Sequence, residues 1–150
     1  MKTARIKNSN EKTSLKDIEN FENIHNLKLS NSYKNFLLNF NGGNVEPNLF
    51  KISGAAESVV NVFYGLNISK TYDELSEVFE SLDSAIPNNF LAIGDDPGGN
   101  QICLGISNEN FGKIYFWFHD IEDNDKEENM IFLSDDFDNF IDRLYEDNDL

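Results

Sequence analysis

The sequence contains a tight turn between two apolar runs, within residues 90–104: Phe90-Leu91-Ala92-Ile93-Gly94-Asp95-Asp96-Pro97-Gly98-Gly99-Asn100-Gln101-Ile102-Cys103-Leu104. Within it, Asp96-Pro97-Gly98-Gly99 fits a four-residue turn, because proline presets φ at the second position and glycine accepts a positive φ at the third. A carboxylate at the first position can accept hydrogen bonds from nearby backbone N–H groups. We therefore predict a structural turn at Asp95, Asp96, Pro97, Gly98 and Gly99 that joins two antiparallel strands.

Further short strands are predicted on both sides of this turn. Turn-forming residues separate the apolar segments after it, so these segments should form an antiparallel meander. An earlier segment is rich in β-branched and aromatic residues and ends at Gly65, which also indicates a strand. Residues 44–58 are predicted to hold a brief strand and a loop. Besides that brief strand, the full set of predicted strands is 59–64, 90–93, 101–107, 113–119 and 131–133.

Capping residues and apolar spacing predict two helices before the first strands. Thr13 or Ser14 can cap the first helix, which should run to about Asn23. Ser30 can cap the second helix, and Gly42-Gly43 supplies its left-handed stop. Apolar residues of the second helix recur at i, i+3, i+4 and i+7, so they form one face. That face consists of Tyr33, Phe36, Leu37 and Phe40.

Two more helices complete the predicted order of elements. Thr71 should open the third helix, and Pro87 prevents its continuation. Ser134 should cap the last helix, whose first turn carries acids that favour the positive helix end. Its apolar face consists of Phe137, Phe140, Ile141 and Leu144. The order of helices and strands predicts an α+β fold with a mixed, mostly antiparallel sheet flanked by helices.

Composition predicts one folded domain over residues 1–150. The chain is 39% hydrophobic and carries 13 Phe against 9 Gly and 3 Pro, which favours an aromatic core over disorder. No apolar run approaches the length that spans a bilayer, and the first residues do not form a signal segment. The single Cys103 agrees with a reducing compartment. We therefore expect a cytoplasmic protein without a membrane partner.

The charge is strongly negative and unevenly placed. The formal net charge is −15, and residues 120–150 alone carry 13 acidic and 2 basic side chains. A surface of this sign repels nucleic acid and anionic lipid and attracts a basic protein. The charge therefore predicts a protein partner and excludes nucleic acid.

Candidate sites for metals and catalysis are weaker than their structural alternatives. Asp95, Asp96 and Asn100 offer oxygen ligands for Mg²⁺ or Ca²⁺, but the turn demands the same residues. The acidic loop at 120–125 departs from a calcium loop at its sixth and twelfth positions. Cys103, His119 and Asp120 are the residue types of a nucleophilic triad, but Cys103 lies in an apolar strand where a buried thiol is commoner. We predict no catalytic residue, no metal site and no cofactor.

A resemblance to a known family begins in the second helix and its stop, which read Leu29-Ser30-Asn31-Ser32-Tyr33-Lys34-Asn35-Phe36-Leu37-Leu38-Asn39-Phe40-Asn41-Gly42-Gly43. This segment resembles the N-terminal signature of the SUKH superfamily of immunity proteins, which also includes fungal cell-wall assembly regulators. Residues 90–104 resemble the central element of that family, 112–117 its next strand and 137–144 its closing helix. Ser30 replaces the usual proline, and both residues suit a helix start.

The resemblance covers about residues 14–145 and implies an α+β fold without catalytic residues. Many bacterial members bind a toxin encoded beside them and block it. We therefore predict an immunity protein that binds a cognate toxin from an adjacent gene, a basic nuclease being one fitting target class. Charge density selects the predicted toxin-binding surface: Glu122, Asp123, Asp125, Glu127, Glu128, Asp135, Asp136 and Asp138.

Two alternatives stay open at the level of sequence. The chain can be a regulatory scaffold, like the fungal members, that binds cellular proteins and no toxin. It can also be an enzyme that uses Asp95 or Asp96 with a metal ion. Genome context distinguishes the scaffold from an immunity protein, because an immunity gene should lie directly downstream of a toxin gene. Titration with metal ions tests the enzyme alternative, because an absence of binding would count against it.

Overall fold

Four helices and nine strands lie in residues 5–54, 56–119 and 129–147, the part of the chain that the computed structural model describes. The helices are α1 (Leu15–His25), α2 (Asn31–Asn39), α3 (Leu75–Ser81) and α4 (Phe137–Asp142). The strands are β1 (Arg5–Lys7), β2 (Asn44–Glu46), β3 (Leu49–Ser53), β4 (Ala56–Val59), β5 (Val62–Phe63), β6 (Phe90–Asp95), β7 (Gln101–Gly105), β8 (Ile114–Trp117) and β9 (Met130–Ser134). The predicted α+β class is confirmed.

The central layer is a five-stranded antiparallel sheet in the order β5-β6-β7-β8-β9. Each strand from β6 onward pairs with the next strand along the chain, so the predicted meander is confirmed. Two smaller antiparallel pairs, β1-β2 and β3-β4, accompany it. Among the described residues, parallel pairing occurs at an isolated bridge between Gly65 and Glu74.

One face of the sheet receives α2 and α4. The register aligns Phe63 with Gly94, Gly94 with Ile102, and Ile102 with Phe116 across four strands. A Cβ atom at Gly94 would lie 2.7 Å from the carbonyl oxygen of Val62 and 3.0 Å from the Phe63 ring. Glycine is therefore required where the Phe63 ring crosses β6.

The opposite face carries α3. There the register aligns Ala92 with Cys103, Cys103 with Tyr115, and Tyr115 with Phe132. Phe79 of α3 lines a small cavity together with Ala92. The two faces of the sheet are thus covered by different helices, with Phe132 half exposed at the edge of the α3 face (49% exposed).

An aromatic cluster fixes α2 and α4 on the sheet. The ring centroids of Phe36 and Phe63 are 5.3 Å apart, those of Phe36 and Phe137 4.8 Å, and those of Phe63 and Phe137 5.4 Å. All three rings are buried. Tyr33 extends the cluster by an edge contact with Phe137 at 5.6 Å. Tilted and edge contacts at these separations add to the free energy gained by burying the rings.

The predicted start of α1 is confirmed, but those of α3 and α4 are wrong by two to four residues. The Ser14 hydroxyl accepts a hydrogen bond from the Asp17 N–H at 3.1 Å, which caps α1. Thr71 opens a 3-10 turn, and α3 begins after Glu74, whose carboxylate accepts from the Glu77 N–H at 2.9 Å. Likewise α4 is capped by Asp136 and not by Ser134, which still belongs to β9.

The predicted strand at 59–64 is interrupted because the chain changes partners there. Val59 ends β4, and the Val60 N–H donates to the Asn48 carbonyl at 2.9 Å. The next N–H, of Asn61, donates to the Asp95 carbonyl at 2.8 Å. The chain thus leaves the β3-β4 pair and joins β6 within two residues, so the apolar run serves two sheets.

Removing one ring of the aromatic cluster should destabilise the protein strongly. We expect Phe137→Ala to lower the free energy of unfolding by about 3–5 kcal/mol, since it opens a cavity between α2, α4 and β5. Phe132→Ala, at a half-exposed position, should lower it by less than about 1.5 kcal/mol. Urea unfolding followed by circular dichroism measures both, and equal effects would contradict the assigned role of the cluster.

Candidate functional site

The turn after β6 is held by the buried carboxylate of Asp96. One carboxylate oxygen accepts hydrogen bonds from the backbone N–H groups of Gly98 and Asn100, both at 2.9 Å. The other oxygen accepts from the Ser58 hydroxyl at 2.8 Å and from the Asn100 side-chain amide at 3.1 Å. The Gly99 N–H closes the turn on the Asp96 carbonyl at 3.1 Å. The predicted structural turn is present, with Asp96 as its centre.

The positive φ falls one residue later than the sequence predicts. Gly99 has φ +87°, whereas Gly98 has no positive φ. A left-handed residue at the last position of a four-residue turn is a common way to close a short hairpin. Pro97 and Gly98 therefore occupy the centre of the turn, and Gly99 returns the chain to β7.

Asp95 has a less favourable environment than Asp96. Its carboxylate accepts a hydrogen bond from the Asn61 side chain at 3.0 Å. Burial raises the pKa of Asp95 above its ordinary value, and the nearby carboxylates of Asp73 and Asp96 raise it further, while the bond from Asn61 opposes the change. The ionised form of Asp95 is thus destabilised in the folded protein.

Asp96 and Cys103, which were considered for metal binding and nucleophilic chemistry, have structural roles, and Asp120 lies outside the described residues. The hydrogen bonds that the Asp96 carboxylate accepts come from donors within the turn and from the Ser58 hydroxyl. Within 5–54, 56–119 and 129–147, no group of three or more His, Cys, Asp or Glu side chains could hold a metal ion. Cys103 is fully buried in β7, and burial raises the pKa of its thiol, which disfavours the thiolate that nucleophilic attack requires.

The acidic residues predicted to bind a toxin divide between two parts of the chain. Glu122, Asp123, Asp125, Glu127 and Glu128 lie outside the described residues. Asp135, Asp136 and Asp138 lie together at the start of α4. Asp136 uses its carboxylate to cap α4, accepting from the Asn139 N–H at 2.8 Å. Asp135 and Asp138 are exposed and remain accessible to a partner.

Asp138 also lies at the edge of an apolar groove between β1, α2 and α4. This α2–α4 groove encloses about 480 Å³. Its apolar lining consists of Ile6, Phe36, Phe40, Phe137 and Ile141, and its polar lining of Arg5, Ser32, Asn35, Asn39 and Asp138. The groove therefore combines an aromatic floor with amide side chains and a carboxylate.

Sequence reasoning missed this groove although it assigned roles to five of its lining residues: Phe36, Phe40, Phe137, Ile141 and Asp138. Phe40 belongs to the apolar face predicted for α2, but it is 39% exposed and forms a wall of the groove. Phe40 comes after the last residue of α2, where its backbone leaves helical geometry and its side chain leaves the buried stripe. An aromatic residue just before the predicted helix stop is therefore the sequence signal that could have indicated the site.

A second groove lies at the other end of α4, and its charged lining residues among those described are both cationic. It encloses about 360 Å³ between β3, β9 and the chain after α4, and it includes Lys51 and Arg143. The Lys51 ammonium lies 5.5 Å from the centre of the Tyr145 ring. Tyr145 in turn donates a hydrogen bond to Glu57. These cations would repel a basic partner.

Comparisons with known proteins identify a matching family and a relative in Bacillus subtilis. A family model described as the SMI1 / KNR4 family (SUKH-1) matches residues 12–143. The chain is also 28% identical over 152 aligned residues to the SPbeta prophage-derived uncharacterized protein YokK of Bacillus subtilis (strain 168), an alignment that covers 89% of this chain and 73% of the relative. Among the described helices, none has the length and apolar character needed to cross a membrane.

The environment of Asp95 predicts a pH-dependent effect of one substitution. Because the folded pKa is raised, the folded protein binds this proton more tightly than the unfolded chain, and stability falls as the pH rises through the folded pKa. Asp95→Asn keeps an oxygen that accepts from Asn61 and removes the charge. We expect this variant to be more stable than wild type at pH 7 and to lose that advantage by about pH 3, below the ordinary carboxyl pKa. Urea unfolding at both pH values measures the difference, and an advantage that is the same at both would contradict the prediction.

Proposed function

Since the chain belongs to the SMI1 / KNR4 family (SUKH-1), we propose that it is an immunity protein that binds a cognate bacterial toxin and neutralises it by protein–protein contact. The family match over residues 12–143 carries this proposal. It covers the aromatic cluster, the Asp96 turn and the α2 and α4 sides of the α2–α4 groove, whereas Arg5 and Ile6 of β1 precede it. We propose a binding role without catalysis, exercised in the cytoplasm on the product of an adjacent gene.

The negative charge supports a basic partner. With a net charge of −15, the chain attracts a positively charged surface over distances of about one Debye length, roughly 8–10 Å at physiological salt. Toxins that cut nucleic acid need cationic surfaces to hold phosphates. An acidic inhibitor placed on such a surface would compete with the substrate, so we propose a nuclease as the fitting target class.

The acidic surface that we propose for this contact consists of the acids of 122–128, which lie outside the described residues, and of Asp135, Asp136 and Asp138 at the start of α4. Asp135 and Asp138 supply its exposed charges in the described part of the chain, while Asp136 is engaged in capping. Exposed charges of this kind mainly raise the rate of association, and buried contacts determine how long the complex lasts. The acidic surface therefore accounts for the approach of the toxin more than for the strength of its binding.

Co-expression tests the proposed function directly. The chain would be produced in cells together with the product of the adjacent gene, and growth would be compared with cells that produce that product alone. An unrelated acidic protein of similar size and charge serves as the control. We expect the chain, and not the control, to restore growth. Binding of the product without any rescue would contradict neutralisation and favour the scaffold alternative.

Charge removal should change the rate of association with the toxin. Replacing Glu122, Asp123, Asp125, Glu127 and Glu128 by amides should slow association about tenfold at low salt and flatten its dependence on salt concentration. The matched control removes five exposed acids elsewhere: Glu19, Glu77, Glu80, Asp83 and Glu109. Stopped-flow or surface-binding kinetics measure both variants. Equal slowing would assign the effect to net charge alone, and no slowing would contradict electrostatic attraction.

A further inference from the structure

We infer that the α2–α4 groove takes an apolar side chain of the toxin, with a lysine or arginine of the same toxin segment beside Asp138. This inference rests on the proposed function and names the contact that gives the complex its strength. The inferred contact shares Asp138 with the acidic surface, whose main effect is on the rate of approach.

The floor of the groove is built to receive an apolar group. Phe36 and Phe137 are buried members of the aromatic cluster, so their positions are fixed by packing beneath the groove. Phe40 stands at the wall, 39% exposed, with its ring centre 5.9 Å from that of Phe36. The volume of about 480 Å³ lies within the range of about 300–1,000 Å³ that is typical of binding pockets. Pockets of this kind hold the aromatic or aliphatic anchors that dominate protein interfaces.

The charge at the edge of the groove favours a cation on the same segment. In the described part of the chain, the charged residues that line the groove are Arg5 and Asp138. The Arg5 guanidinium lies 3.7 Å from a carboxylate oxygen of Glu46. The Lys7 ammonium forms an ion pair with the same oxygen at 2.7 Å. The carboxylate of Asp138 takes part in none of the ion pairs formed among the described residues. Among the described residues, Asp138 is therefore the carboxylate of the groove that is available to an incoming cation.

The amide side chains along the groove can form hydrogen bonds with the backbone of the incoming segment. Asn35 and Asn39 are one helical turn apart on α2 and are both exposed along the groove. Each amide offers two donors and one acceptor oxygen, which suits a peptide backbone. The chemistry of the expected occupant is thus an extended or helical segment with one apolar side chain and one adjacent cation.

The other candidate surfaces fit this occupant less well. The groove at the far end of α4 contains Lys51 and Arg143, which would repel a cationic segment. Phe132 is exposed on the α3 face of the sheet, and Tyr72 is exposed before α3. Neither residue lines the α2–α4 groove or the groove at the far end of α4.

Substitutions in the groove test the inference with the product of the adjacent gene as the probe, in a form inactivated at its own catalytic site. Asn35→Arg should fill the groove and place a cation against the incoming one, weakening binding by about 100-fold. Phe40→Ala should weaken it by about tenfold and Asp138→Asn by about threefold to tenfold. Arginine is a better helix former than asparagine, so Asn35→Arg should not unfold α2.

Matched controls lie on the opposite face of the sheet. Phe132→Ala removes an aromatic ring of comparable exposure, and Glu80→Gln removes an exposed acid on α3. Both should bind within about twofold of wild type, as is usual for residues outside an interface. Circular dichroism of each variant shows whether the fold is intact.

The outcomes separate the inference from the proposed function. If wild type binds the probe and the groove variants bind as tightly as wild type, the groove inference is wrong while the proposed function stands. The same holds if Phe132→Ala or Glu80→Gln weakens binding and Asn35→Arg does not. If wild type does not bind the probe at all, the proposed function is wrong and the groove inference falls with it.

Discussion

The mutual burial of Phe36, Phe63 and Phe137 is the contact on which the rest of the structure depends. It brings together α2, β5 and α4, which are far apart in sequence, and holds both helices on one face of the central sheet. Gly94 makes this possible because a side chain there would collide with Val62 and with the Phe63 ring. Two of these rings, those of Phe36 and Phe137, also line the α2–α4 groove, so the core and the proposed binding site share side chains. A rigid floor suits binding, since little side-chain entropy is lost when a partner docks.

Local signals in the sequence were sufficient for the turn and the meander. Asp96 and the glycines that follow it specify a turn through contacts within five residues, and those contacts are the ones observed. The Ser14 cap of α1 is equally local. Such features depend on few neighbours, so residue type and spacing are enough to predict them.

Features that depend on distant residues could not be predicted. The start of α3 depends on Glu74, whose carboxylate also accepts from the Asn67 N–H at 2.8 Å, so its role as a cap comes from the loop before it. The split between β4 and β5 depends on Asn48 and Asp95, which lie on different strands or loops. The groove needs β1, α2 and α4 at once, and no pattern within one of these segments specifies it. Charge density did select Asp138, but its place beside Phe137 and Phe40 became visible only with the fold.

Charge and shape contribute separately to the proposed contact with a toxin. The acids attract a basic surface from a distance, and the groove distinguishes partners by the side chain that fits it. The most direct measurement is hydrogen–deuterium exchange of the chain alone and bound to the product of the adjacent gene. We predict slower exchange in α2 and α4 on binding, with little change in α3 and β9. Protection confined to α3 and β9, or none anywhere, would contradict binding through the α2–α4 groove.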